Sequence, residues 1–247
     1  MTVDLSRQHM ELDARIKAAL DLLDIEGLIE ALVALVRVPS VYDPSRPDGN
    51  ESAASGYVEA LLRSWDMLYT RREVAPGRPN LVIDLPGVAA GPILVMEGHT
   101  DVVTVGDRAA WSVEPFAGEI RDGRLYGRGA CDMKGGLVAM LFAARALQLA
   151  GSDYRGTLRL AILADEEGMM LGAKGFVADG YLDGATAAIV CEPEGDRVCI
   201  AQKGAIRLRA RFHGKMAHGC MPDEGINPVP ALGEAIVACR LLEQEVL

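Results

Sequence analysis

Gly127-Arg128-Gly129-Ala130-Cys131-Asp132-Met133-Lys134-Gly135-Gly136 places one acid in a glycine-rich turn, just ahead of a strongly helical run. A carboxylate in such a turn can be held close to a charged partner, and the choice lies between a phosphate, a metal and no partner at all. The phosphate reading fails on spacing. A dinucleotide fingerprint, G-x-G-x-x-G, is met at Gly127 and Gly129 but has Asp132 at its third position, where a negative charge repels a pyrophosphate. No G-x-x-x-x-G-K-[ST] sequence is present either. A dinucleotide-dependent oxidoreductase is therefore disfavoured. The metal reading depends on acids and a histidine elsewhere in the chain.

Outward from this turn, the pattern is that of an α/β protein. The run from about Met133 to Ala150, rich in Ala, Leu and Met, predicts a helix. Just before the turn, Gly118 to Tyr126 reads as a hairpin turning on Asp122-Gly123. Short apolar runs predict strands over Asn80–Leu85, Pro92–Glu97, Thr157–Leu163 and Ala187–Val190. The second of these reads as a buried central strand. Apolar residues at three- and four-residue spacing predict helix from about Ser6 to Arg37, with Gly27 as the expected break, and again from Glu51 to Trp65. Near Gly204 the pattern changes. Ile206–Phe212 alternates apolar residues with Arg207, Arg209 and Arg211, predicting a half-exposed antiparallel strand, and a helix from about Pro228 to Val246 follows. The expected organisation is one domain over residues 1–203 and the start of a smaller α+β piece over 204–247.

Composition narrows the function. The 247 residues carry a formal net charge of −10, which argues against nucleic acid and against an anionic membrane surface, since both need a basic face. No apolar run approaches membrane-spanning length. Cys131, Cys191, Cys199, Cys220 and Cys239 are odd in number and lack CxxC spacing, as reduced thiols of a cytoplasmic protein would.

Three predicted strands end in candidate ligands: His99 after the second, Glu166 and Glu167 after the third, and Glu192 after the fourth. In open α/β sheets, ligands bind at the carboxyl ends of strands. Asp101, two residues beyond His99, is placed to accept the second ring N–H of a ligating imidazole. Glu166 and Glu167 are adjacent and point differently, so one can ligate while the other faces a bound water. A carboxylate such as Asp132 can bridge two cations, as two-metal hydrolases require. Each feature alone has a plainer reading: a surface His–Asp pair, acids complementing a helix dipole, an acid before a proline. Their shared place at the ends of strands in one sheet favours the metal.

The chain resembles the M20 metallopeptidases, the group of acetylornithine deacetylase, succinyl-diaminopimelate desuccinylase, aminoacylase and glutamate carboxypeptidase. The matching blocks are Gly98-His99-Thr100-Asp101-Val102-Val103, Gly127 to Gly135, Asp165-Glu166-Glu167-Gly168, Cys191-Glu192-Pro193 and Gly214-Lys215-Met216-Ala217-His218-Gly219. The resemblance implies a zinc-peptidase-like mixed sheet flanked by helices, with a smaller α+β lid used for homodimerisation. It implies two Zn2+ ions per complete site, with Co2+ or Mn2+ as alternatives. His99 and Glu192 would hold one, Glu167 the other, and Asp132 would bridge them. Asp101 would orient His99, and Glu166 would act as general base and then acid. His218 would stabilise the oxyanion across a dimer. A cis peptide is implied at Asp132-Met133. The activity implied is hydrolysis of an amide in an N-acyl amino acid or small peptide.

The family pattern has one more histidine, far toward the C-terminus, and a segment that returns to the catalytic domain. This sequence has only His9, His99, His213 and His218, and it stops inside the predicted lid. The expectation is the N-terminal part of a longer enzyme, binding at most one zinc tightly, with little hydrolytic activity and a tendency to aggregate through unpaired sheet edges. The competing reading is a catalytically inactive metal-binding or dimerisation fragment of such an enzyme.

Overall fold

The sheet that positions the candidate ligands has five strands in the order β1-β2-β6-β3-β7. This computed structural model describes residues 5–195, 197–204 and 206–246. The strands are β1 (Thr70–Ala75), β2 (Arg78–Pro86), β3 (Ala89–His99), β6 (Arg155–Leu163) and β7 (Ala185–Val190), while β4 (Glu119–Arg121) and β5 (Arg124–Tyr126) form a separate hairpin. β1, β2 and β6 are successively antiparallel, and β3 runs parallel to both β6 and β7. The register pairs His99 with Leu163 and Glu97 with Val190. The parallel trio β6-β3-β7 therefore ends along one edge, where the chain continues into Asp165-Glu166-Glu167, Thr100-Asp101 and Cys191-Glu192.

The two faces of the sheet follow the period of two. Leu81 and Ile83 of β2 and Leu158, Leu160 and Ile162 of β6 pack with α2 (Ile25–Val36), α3 (Ser52–Ser64) and α4 (Lys134–Leu149) through Leu35, Val58, Leu62, Leu137 and Leu141. Val82, Ala161 and Leu163, one residue out of phase, turn to the other face and meet Phe176 of α5 (Leu171–Ala178). This is the alternation that a strand imposes on its side chains. The mixed α/β sheet flanked by helices is the fold class that the sequence implied.

The break in the N-terminal helical run lies between α1 (Leu5–Leu20) and α2, earlier than the expected Gly27. Asp24 caps α2 by accepting the Gly27 amide at 2.8 Å, so Gly27 belongs to the first helical turn. β1 and α5 had no expectation in the sequence. β1 is Thr-Arg-Arg-Glu-Val-Ala, an edge strand without an apolar stripe, and α5 has only eight residues. The predicted Asp122-Gly123 hairpin is present, with both residues at positive φ.

Residues 1–197 and 198–247 form two compact units. The expected strand Ile206–Phe212 is not formed. Ile206 and Leu208 are 86% and 91% exposed. Alternation marks a strand where one of its faces is half-buried, and here the apolar face is exposed. The second unit has an isolated bridge between Lys215 and Ile226, followed by α6 (Val229–Val246). Among the described residues, no helix is long and apolar enough to cross a membrane.

Candidate metal centre

His99 ends β3 and is fully buried, as is Thr100, with Asp101 2% exposed. Its Nδ1 lies 3.0 Å from the backbone carbonyl of Asp101 and 3.5 Å from Asp101 Oδ1. Both groups favour a proton on Nδ1, which makes Nε2 the nitrogen that a metal would take in place of a proton. Nε2 is buried and makes no hydrogen bond. It faces oxygens of Glu192 at 3.2 Å, Asp132 at 3.4 Å and Glu166 at 3.7 Å.

Two ligand trios, His99–Asp132–Glu167 and His99–Glu166–Glu192, each converge within 4.8 Å. The structure thus brings together His99, Asp101, Asp132, Glu166, Glu167 and Glu192. Asp101 does more than the sequence suggested. Its carboxylate accepts the backbone amides of Glu166 at 3.1 Å and Glu167 at 2.9 Å, tying the end of β6 to the end of β3. His218 lies in the other unit, exposed, with Nδ1 3.0 Å from Cys220 Sγ. The peptide between Asp132 and Met133 is cis.

Close backbone approach completes the cluster. A Cβ on Gly136, in the first turn of α4, would lie 1.9 Å from the Cys191 carbonyl. Only glycine lets α4, and the Asp132 turn ahead of it, approach the strand end that carries Glu192.

The electrostatics are those of a site short of positive charge. Burial works against a charged His99, but the carboxylates of Asp101 and Glu192 push the imidazole up to about 11. Burial raises the carboxyls of Asp132, Glu166 and Glu167, and charge from neighbouring carboxylates adds to it. Burial pushes Glu97 up to about 7, with Glu192 and Glu166 contributing. Asp101 is also buried, yet its carboxyl is held low by His99 and the two amides it accepts. An orphaned imidazole nitrogen facing several crowded carboxylates fits a hard or borderline divalent cation, which would neutralise them together.

Sequence reasoning missed Glu97, Glu51 and Arg78. Glu97 could have been found, because it stands two residues before His99 and so shares its strand face. Glu51 and Arg78 carry no local signal.

Fold and site together define an α/β protein whose parallel strand ends carry a histidine–carboxylate centre suited to divalent metal. The model of peptidase family M20/M25/M40 matches residues 95–226, and the chain belongs to this family. The resemblance seen in the sequence is thereby borne out, and membership implies a divalent metal at this centre. A probable succinyl-diaminopimelate desuccinylase of Staphylococcus epidermidis is 35% identical over 204 residues, which cover 83% of this chain and 48% of that protein. The succinyl-diaminopimelate desuccinylase of Rhodospirillum centenum is 39% identical over 154 residues, or 59% of this chain and 40% of the relative. The chain spans about half the length of the curated relatives it matches. In fold it is similar to the dipeptidase Dug1p of Saccharomyces cerevisiae, with TM-score 0.61, 18% identity and coverage of 70% of this chain and 40% of that one. It is also similar to aminopeptidase PepT of Bacillus cereus, with TM-score 0.56, 20% identity and coverage of 87% and 57%.

Proposed function

We propose that this chain carries the metal centre of a zinc-dependent amidohydrolase that cleaves the amide of an N-acyl amino acid or small peptide. The observation behind this reading is the buried, unbonded Nε2 of His99 among converging carboxylates. His99 and Glu192 would hold one zinc, Glu167 the second, and Asp132 would bridge. Zinc when bound supplies Lewis acidity, polarising the amide carbonyl and acidifying the attacking water. The names of the desuccinylase relatives point to an N-succinyl amide as the first substrate class to try.

Glu166 is the proposed proton carrier. Its half-exposed carboxylate takes a proton from water and returns it to the departing amine nitrogen, so the proton is conserved across the cycle. Its raised carboxyl brings it nearer to neutrality, as a group that must act first as base and then as acid requires. Asp101 orients His99 and holds the Glu166 and Glu167 amides. His218, in the second unit, is the proposed oxyanion donor in a homodimer. Five cysteines, odd in number and without CxxC spacing, suit a cytoplasmic setting.

The test is zinc binding by the 247-residue chain, read by elemental analysis after gel filtration, with amine release from an N-acyl amino acid panel as the second readout. One zinc should stay bound, and His99→Ala should abolish its retention. Glu166→Gln should keep the metal while losing whatever turnover the wild-type chain shows. A wild-type chain that retains no zinc sinks the reading.

A further inference from the structure

Next to the centre, but outside it, three charged side chains are buried together. Arg78 of β2 donates from Nε to Glu51 Oε2 at 2.8 Å and from Nη2 to Glu51 Oε1 at 2.5 Å. The same Nη2 lies 2.7 Å from Asp165 Oδ1. The side chains of Glu51, Arg78 and Asp165 are 0%, 4% and 4% exposed. Glu51 stands at the N-cap of α3 but makes no side-chain cap bond. Its carboxylate instead turns to Arg78 and accepts the Asp165 amide at 3.2 Å. Tyr42 stacks on the guanidinium, 3.8 Å from ring centroid to Cζ.

Asp165 directly precedes Glu166 and Glu167 and has φ +64, in the left-handed region. Its Oδ2 accepts the amides of Met169 at 2.9 Å and Leu171 at 3.2 Å, and its carbonyl accepts that of Met170 at 2.7 Å. A Cβ on Gly168 would lie 2.1 Å from Asp165 Oδ1, so glycine is needed there for the carboxylate to tuck under its own turn. Asp101 therefore holds residues 166 and 167 from one side, and Arg78 holds residue 165 from the other.

Buried ion networks cost as much desolvation as they return in attraction, and apolar residues could fill the same space with equal stability. What a guanidinium fork between two carboxylates adds is one fixed geometry. We propose that Glu51, Arg78 and Asp165 are positioning residues that set the place of Glu166 and Glu167, and through them the affinity of the metal centre and the geometry of its ligands. This rests on the metal-dependent reading above.

The experiment is Co2+ binding to the full 247-residue chain, followed by visible d–d absorption and by competition with a chromophoric chelator. Wild type is compared with Arg78→Lys, which keeps the charge but loses the fork, and with Asp165→Asn, which keeps the amide acceptors and tolerates positive φ. Far-UV circular dichroism and urea unfolding report the folded fraction. Glu167 is a proposed metal ligand and belongs to the converging trio His99–Asp132–Glu167. At least one folded variant should therefore bind Co2+ about tenfold more weakly, with a shifted or weakened band. Folded variants with wild-type affinity and spectrum would show that the triad serves the fold alone. Unfolding of both variants would overturn the proposal as well. A wild-type chain that binds no Co2+ would instead overturn the metal-dependent reading, and the positioning role with it.

Discussion

Glu97 gives the residue-scale view of this centre. It precedes His99 by two positions on β3, so both side chains lean to the same face. Its folded value near 7 stands above the ordinary 4.5, mainly through burial. Between those two values the folded chain keeps a proton that the unfolded chain has released. Stability therefore falls as pH rises through that window and stays reduced above it. The whole span is worth roughly 3 kcal/mol. In the metal-free chain, Glu97→Gln should remove this penalty. It should add up to about 3 kcal/mol relative to wild type at pH 8 and contribute nothing of the kind at pH 4. Urea unfolding at the two pH values measures it, and an equal effect at both would refute the assignment. The same residue shows why the site was only partly legible. His99, Asp132, Glu166, Glu167 and Glu192 stand in short blocks, each at a strand end or a turn, so local pattern exposes them. Glu97 closes the predicted apolar strand Pro92–Glu97, and only its spacing of two from His99 marks it. Arg78 meets Glu51 across 27 residues, and no local pattern encodes that distance.

At the scale of elements, the sequence speaks where one element buries one face. α4 was legible because its apolar surface meets both the sheet and α2, leaving Leu137, Val138 and Leu141 fully buried. β1 was not, because a charged edge strand needs no apolar stripe, and its existence depends on β2 beside it. The segment 206–212 errs in the other direction, with the alternation of a strand but an apolar face left exposed at Ile206 and Leu208. Packing between elements supplies a sharper test at two helical glycines. At Gly136 a methyl group would meet the Cys191 carbonyl, which is backbone and cannot rotate away. Gly136→Ala should cost about 1–3 kcal/mol through forced displacement of α4 from the end of β7. Zinc affinity should fall with it, because Asp132 and Glu192 sit on the two displaced pieces. At Gly233 in α6 a Cβ would meet nothing within 4 Å. Gly233→Ala should be neutral or gain up to about 1 kcal/mol from helix propensity. Denaturant unfolding of the two variants would contradict this packing argument if they moved stability in the same direction.

At the scale of the whole molecule, the edge formed by β7 is an exposed surface through which copies can associate. Parallel strands are ordinarily covered on both faces. Here Ala185–Val190 is largely exposed, with Ile189 and Val190 at 48% and 53%. Among the described residues β7 is also the last strand of its sheet, an edge open to pairing with another chain. Opposing this is the net charge of −10, which holds copies apart. The balance is salt-dependent, since screening shortens from about 8 Å at physiological ionic strength to about 3 Å in 1 M salt. Static light scattering should therefore show self-association that grows from low salt to 1 M NaCl. Ile189→Lys puts a charge on the edge itself, the means by which natural edge strands avoid pairing. It should suppress most of that association at both salt concentrations while zinc stays bound, because Ile189 is not among the converging ligands. Unchanged association in Ile189→Lys would move the sticky surface elsewhere, with the exposed Leu232 and Ile236, one turn apart on α6, as the next face to charge.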